Sequence, residues 1–230
     1  MNMTEATFSS SPKRDAASSN RWKRYSASLK YAFYVILHPF DGFWDLNREE
    51  KGSLAAANTI FILFLLTYVL KLMYTNFQFV MVPIQYINIY QRMASLAIPF
   101  LVLCISNWAL STLFDGKGRF KDIYMGMCYA LFPYVMIQLP CILLSHILAY
   151  DEAEFYNVLI SVSVIWSAAL VFVALMQVHD YSPGKTLIVI IATVVGAMVI
   201  LFLVMVFFSL LSDAYAFFAS LYKEIRFRLN

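Results

Sequence analysis

Charge is what this sequence most lacks. Only 13% of the 230 residues are Asp, Glu, Lys or Arg, and 61% are hydrophobic, against roughly 25% charged in an ordinary soluble domain. The scarcity is also uneven. Leu54–Leu70, Met93–Phe114, Ile123–Tyr150, Phe155–His179 and Thr186–Ser212 contain none of the four charged types. A hydrocarbon layer of about 30 Å needs roughly 20 apolar residues as helix, so the five windows exclude a single water-soluble core. They predict an integral membrane protein with spans over about 54–73, 94–114, 124–149, 156–178 and 186–212.

Other absences narrow the chemistry. Cysteine occurs three times, at Cys104, Cys128 and Cys141, all inside spans and without CxxC spacing. Neither a zinc site nor a disulfide is expected, and small buried side chains fit better. No carboxylate or cation falls at mid-membrane depth, which argues against an ion or proton relay. GKGRFK at 116–121 has two glycines and three cations able to meet phosphate groups, but its spacing is not that of a P-loop. Ser145-His146 suggests a hydrolase. Side chains adjacent on a helix point about 100° apart, so the two are not expected to act as nucleophile and base. No catalytic residue, cofactor or nucleic-acid partner is expected.

What is present is ordered along the chain. Residues 1–24 are basic and rich in Ser and Ala, and read as a disordered tail. The first 30 residues lack the apolar core of a cleavable signal, so the first span is expected to serve as an uncleaved signal-anchor. Over 25–48 the chain is amphipathic, with Leu29, Phe33, Ile36, Leu37 and Phe40 on one side. This predicts an interfacial helix that ends at Pro39, turns at Asp41-Gly42, and seats Phe40, Phe43 and Trp44 at headgroup depth. Basic segments alternate with non-basic ones, as expected for a cytoplasmic N-terminus and five crossings, which places 115–122 and 179–185 in the cytoplasm. The basic tail with Lys223, Arg226 and Arg228 disagrees, since five crossings put it outside. The uncharged stretch 72–91 is too polar for a sixth span and reads as an external or re-entrant loop.

The cytoplasmic side therefore gathers HPFDGFWD, DGKGRFKD and HDYSPGK. His38, Asp41, Asp45, Asp115, Asp122, His179 and Asp180 contain suitable ligand types for a divalent metal, with His38, Asp41, His179 and Asp180 the candidates. No tight ligand spacing supports that. Helix caps, turns and interfacial hydrogen bonds are the favoured reading. Lys117, Arg119, Lys121 and Trp44 are the expected contacts to lipid headgroups or a partner.

HPFDGFWDL before the first span, LFDGKGRFKDIY after the second and YMGMCYALFPY opening the third together resemble the Yip-one family of Ypt/Rab-interacting membrane proteins, in its bacterial branch. The likeness runs from about Tyr31 to the end of the last span. It implies a five-helix membrane fold with a cytoplasmic N-terminus, and little chemistry. The Asp-Leu-Tyr-Gly-Pro motif of eukaryotic members is absent, since Asp45-Leu46 is followed by Asn47-Arg48. The expected protein is thus a multi-pass scaffold or adaptor in a bacterial cell membrane, acting through lipid and other integral membrane proteins. A transporter or channel component for a neutral solute or lipid is the alternative, suggested by Pro133, Pro140 and the polar line Gln138–Ser145.

Overall fold

The computed structural model describes residues 12–49, 51–76, 78–79 and 88–229. Its elements are helices α1 (Pro12–Leu37), α2 (Pro39–Arg48), α3 (Leu54–Tyr74), α4 (Ile89–Ser111), α5 (Phe120–Ala130), α6 (Phe132–Leu144), α7 (Ala153–His179) and α8 (Pro183–Leu229), with a 3-10 turn at Tyr150–Glu152. Among the described residues there is no strand. Five helical stretches are long and apolar enough to cross a membrane: α3, α4, α5 with α6, α7 and α8.

Local sequence explains the boundaries. Ser53 accepts the Ala56 N–H at 3.1 Å and starts α3, and Asn88 caps α4 by accepting the Gln91 N–H at 3.2 Å. That cap starts α4 ahead of the uncharged window and draws Arg92 into its first turn. Pro133 stands in the first turn of α6, where its missing N–H costs nothing. The third span accordingly breaks into two helices at Leu131. Pro99 and Pro140 lie inside α4 and α6, and each removes one helical hydrogen bond. Residues 77 and 80–87 of the expected 72–91 loop lie outside the described residues.

The pre-membrane region differs from the expected interfacial helix and turn. Residues 1–11 of the basic tail lie outside the described residues, and from Pro12 onward the chain is helical, Pro suiting a first helical position. The chain then breaks at His38 and restarts with Pro39 at the first position of α2. Asp41-Gly42 is therefore inside a helix and not a turn. Gly42 is needed for proximity: a Cβ there would fall 2.9 Å from the Val35 Cα, so α1 and α2 fold back in close contact. Phe43 is fully buried, correcting its expected place among headgroups, whereas Phe40 and Trp44 are exposed.

This hairpin packs into the bundle. Phe43 and Leu46 of α2 join Ala32 and Val35 of α1, Ala56, Ala57 and Ile60 of α3, Tyr129 of α5 and Ala174 of α7 in one core. The Tyr129 hydroxyl donates to the Ser28 carbonyl at 3.1 Å, and Ser28 Oγ donates to the Lys51 carbonyl at 2.9 Å. Buried backbone polar groups require such partners, and here the bonds tie α1 to α5 and to the entry of α3. Cys104, Cys128 and Cys141 are free and buried, as their positions predict.

Candidate functional site: a polar rim

Several polar segments meet on the face that receives α2, the α4–α5 loop and the end of α7. Its centre is His179, the last residue of α7 and 1% exposed. Gly118 donates its N–H to His179 Nδ1 at 3.3 Å, so Nδ1 is the acceptor. The ring proton then sits on Nε2, which donates to Asn107 Oδ1 at 2.9 Å. Asn107 Nδ2 donates to Thr193 Oγ1 at 3.0 Å, and that hydroxyl donates to the Val189 carbonyl at 2.7 Å. Ser106 Oγ donates to the Thr193 carbonyl at 2.8 Å. One continuous set of hydrogen bonds thus joins the α4–α5 loop, α7, α4 and α8.

The glycines of the loop are shaped around that ring. A Cβ on Gly116 would lie 2.5 Å from the Tyr181 hydroxyl oxygen and 2.7 Å from His179 Nδ1. On Gly118 it would lie 2.6 Å from Val178 Cγ1 and 2.8 Å from His179 Cε1. Tyr181 stacks on the imidazole, with centroids 5.0 Å apart. Asp115 enters the loop in the left-handed region at φ 53°, which Asp tolerates better than most residues, and the Gly116 N–H closes the turn on the Ser111 carbonyl at 2.7 Å.

Asp180 follows His179 and caps α7 with left-handed backbone at φ 57°. A carboxylate at a helix C-terminus opposes the helix dipole, and two cations offset it. Arg48 Nη2 donates to both carboxylate oxygens at 2.8 and 2.6 Å, and Lys117 Nζ to one at 3.2 Å. The Arg48 hydrogen bonds, then Lys117, hold the Asp180 carboxyl below its ordinary range. Exposed ion pairs of this kind contribute about 0–1 kcal/mol. Because the folded value is depressed, this contribution is present above the ordinary 3.8 and is lost as pH falls through the folded value. Asp180→Asn keeps a residue that tolerates the backbone and removes the charge. At neutral pH we expect it to lower the thermal unfolding midpoint slightly, with the difference vanishing below the carboxylate range. A gap that persists in acid would show that the charge is not responsible.

A second polar group lies beside the first. Asp45 takes Lys51 Nζ at 2.6 Å and the Tyr31 hydroxyl at 3.1 Å, and Lys51 also reaches Glu49 at 2.7 Å. The Lys51 hydrogen bond lowers the Asp45 pKa, while burial and then Asp45 raise that of Tyr31.

The sequence candidates separate on this geometry. Asp180, next to His179, takes Lys117, so these three come together. His38 does not join them: it is exposed and its ring stacks on Tyr34 at 4.9 Å. Asp41 is exposed in the first turn of α2, where a carboxylate suits the helix dipole. Among the described residues no three His, Cys, Asp or Glu side chains form a metal-holding group. Arg119 pairs with Asp122 at 2.9 Å, Lys121 is exposed, and Trp44 lies 5.6 Å from the Arg48 guanidinium. Arg48 and Thr193 were missed. Arg48 was visible only as one more basic residue, and Thr193 only as a mild polar interruption in the last span.

Ser145 and His146 need a correction. Ser145 caps the C-terminus of α6 with its backbone still in the right-handed helical region, and both side chains turn back toward the Ile142 carbonyl, so Oγ lies 3.4 Å from His146 Nδ1 despite the adjacency. The pair is nonetheless committed elsewhere. Ser145 Oγ donates to the Ile142 carbonyl at 2.7 Å and accepts the Asn76 N–H at 3.1 Å. His146 Nδ1 is 3.1 Å from the same carbonyl, a contact that requires Nδ1 to carry the proton and so leaves no base facing the serine.

A five-span bundle preceded by a packed helical hairpin, with a Gly-Lys-Gly loop closed on its rim, is the arrangement to compare with known families. The Yip1 domain model matches residues 33–219. The chain belongs to the Yip1 domain family. The match starts inside α1 and ends inside α8, so it includes every rim residue from Asp45 to Thr193. It is a match to the family as a whole and assigns no branch within it. No curated protein and no solved structure matches the chain.

Proposed function

We propose that this Yip1 domain protein is a non-enzymatic multi-pass scaffold or adaptor, acting through lipid and integral membrane partners in a bacterial cell membrane. The N-terminus and the polar rim face the cytoplasm in this reading, supported by the basic residues at and before the rim, Lys13 to Lys51 and Lys117 to Lys121. The observation that carries the proposal is the state of the rim. His179 spends both ring nitrogens on structural hydrogen bonds, and Asp180, Asp45 and Asp122 spend their carboxylates on ion pairs. Groups committed in this way bind segments to each other and are poorly placed to transfer protons to a substrate. Lys121 and Trp44, exposed on the same face, are the surface offered to headgroups or a partner.

In-membrane crosslinking from Trp44 and Lys121, with identification of the crosslinked species, tests this reading. A defined integral membrane protein or lipid, lost on Lys121→Glu, is the expected result. Turnover of a lipid or nucleotide by the purified protein, abolished by His38→Ala or Asp41→Ala, would overturn it.

A second reading, a transporter component, has one observation in its favour. Gln138 is fully buried in the third span, its Nε2 donates to Ser163 Oγ at 2.9 Å, and its Oε1 has no partner. An unpaired carbonyl at that depth is costly and marks the place where a polar solute would be met. A groove of about 540 Å³ is lined mainly by apolar side chains, Leu70, Leu139, Pro140, Ile142 and Leu143, with Tyr74 and His146 at it as well. Solute flux in proteoliposomes above that of empty vesicles, lost in Gln138→Leu, would favour this reading over the scaffold.

A further inference from the structure

Helix α8 is longer than its task as a span. Its 47 residues at about 1.5 Å each cover roughly 70 Å, more than twice a hydrocarbon layer of about 30 Å. The uncharged part between Lys185 and Asp213 already measures about 40 Å, enough to cross with tilt. Beyond it the sequence is DAYAFFASLYKEIRFR, residues 213–228. This end is aromatic where an aqueous extension would be polar. Phe218 and Tyr222 are 66% and 68% exposed, and Tyr215, Phe217, Leu221 and Ile225 are exposed too.

The pattern in these residues has a helical period. At about 100° per residue, Leu221, Ala214, Ile225, Phe218, Tyr222 and Tyr215 fall in one arc of roughly 120° that contains no charge. Arg226 borders one edge of the arc and Arg228 the other, with Phe217 just past Arg228. Lys223, Glu224, Asp213, Ser220, Ala216 and Ala219 lie opposite, together with Phe227 and, at the margin, Phe217. The only acid near the end, Glu224, is held by Arg228 on the same helix at 2.8 Å.

We propose that residues 213–228 form a second, surface-lying segment of α8. The helix runs unbroken from Pro183 to Leu229 without a bilayer; in the membrane it bends at Ser212-Asp213 and sinks its apolar arc into the acyl–headgroup boundary of the leaflet opposite the rim. Lys223, Arg226 and Arg228 then meet anionic headgroups. Three features favour lipid over a second copy of the chain. Aromatic side chains concentrate at membrane interfaces. Cations at both edges of an apolar arc extend their heads outward while their stems cover apolar surface. A parallel pairing of two such helices would set basic edges beside each other, with Glu224 already held by Arg228 and Asp213 at the far end of the segment. The segment is thus a lipid anchor that senses surface charge.

The test uses the full chain in liposomes, with a nitroxide on a single engineered cysteine; the three native cysteines are buried. Phe218→Cys and Ile225→Cys report the arc, and Ser220→Cys and Lys223→Cys the opposite side. We expect labels on the arc to collide several-fold more with membrane-dissolved oxygen than with a water-soluble nickel chelate. On the opposite side the preference should reverse. Adding phosphatidylglycerol to phosphatidylcholine liposomes should deepen the arc labels, and the variant with Lys223, Arg226 and Arg228 all changed to Gln should lose that deepening alone. Equal nickel access at all four positions would mean that the helix projects into water. Arc protection with spin–spin broadening that disappears on dilution with unlabelled chain would mean a second copy covers it. Lipid charge leaving the depth unchanged would remove the headgroup contact. Any of these three results overturns the proposal.

Discussion

Gly118→Ala is expected to destabilise the protein by about 1–3 kcal/mol, the usual cost of forcing extra atoms into a packed site. The added Cβ would lie 2.6 Å from Val178 Cγ1 and 2.8 Å from His179 Cε1. Neither neighbour can retreat easily. Val178 is buried in the core shared by α4, α5 and α7, and His179 is held at Nε2 by Asn107. Moving the ring would stretch that bond, and moving the loop would lengthen the contact between the Gly118 N–H and Nδ1. Gly116→Ala should behave alike, because the Tyr181 hydroxyl and the same Nδ1 stand in its way. Gly184→Ala is the control. Nothing lies within 4 Å of a Cβ there, and the position is helical, so alanine should be neutral or stabilising by up to about 1 kcal/mol. Thermal unfolding of the purified protein in detergent compares the three. Val178→Ala should relieve part of the Gly118→Ala loss, since the two changes meet at one contact and their effects should be less than additive. Equal midpoints for the Gly118 and Gly184 variants would show that the loop does not seat on the ring.

The membrane part of the fold was legible because it depends on composition alone. A window without Asp, Glu, Lys or Arg of sufficient length is a span wherever its side chains point, and five such windows correspond to five long apolar helices. The hairpin before them was harder. Period and composition identify helix around Leu29–Ile36, yet whether Gly42 turns the chain or admits a neighbouring backbone depends on where Val35 lies, and that is a non-local fact. The rim shows the same division. Counting crossings puts Lys117 and Asp180 on one side of the membrane. It does not say that Arg48 reaches Asp180, or that His38 turns away to stack on Tyr34. Helix register decides those, and register comes from packing. Ser145-His146 shows the converse error: the angular rule for neighbours ignores that both side chains bend back to one carbonyl, that of Ile142, and so meet.

The hydrogen-bonded hub offers a sharper experiment, because the two nitrogens of His179 have different duties that different amides can imitate. In His179→Gln the side-chain amide reaches the position of Nε2 and can still donate to Asn107 Oδ1, while the Gly118 N–H loses its acceptor. In His179→Asn the amide oxygen reaches only the position of Nδ1, so Gly118 keeps an acceptor and Asn107 loses its donor. The Asn107 bond is the shorter, 2.9 Å against 3.3 Å, and Asn107 is fully buried. Leaving a buried polar atom unpaired costs about 1–3 kcal/mol. His179→Asn should therefore be the more destabilising, and His179→Leu, which strands both partners, worse than either. Asn107→Leu should cost a similar amount by freeing His179 Nε2 and Thr193 Oγ1 together. Combined with His179→Leu it should cost clearly less than the sum, since the second change removes a group the first had already left without a partner. Unfolding midpoints of the four single variants and the double variant decide this. If His179→Gln and His179→Asn cost the same, and the Leu pair is additive, then Asn107 and His179 are independent core residues and the rim is not joined to α4 and α8 through them.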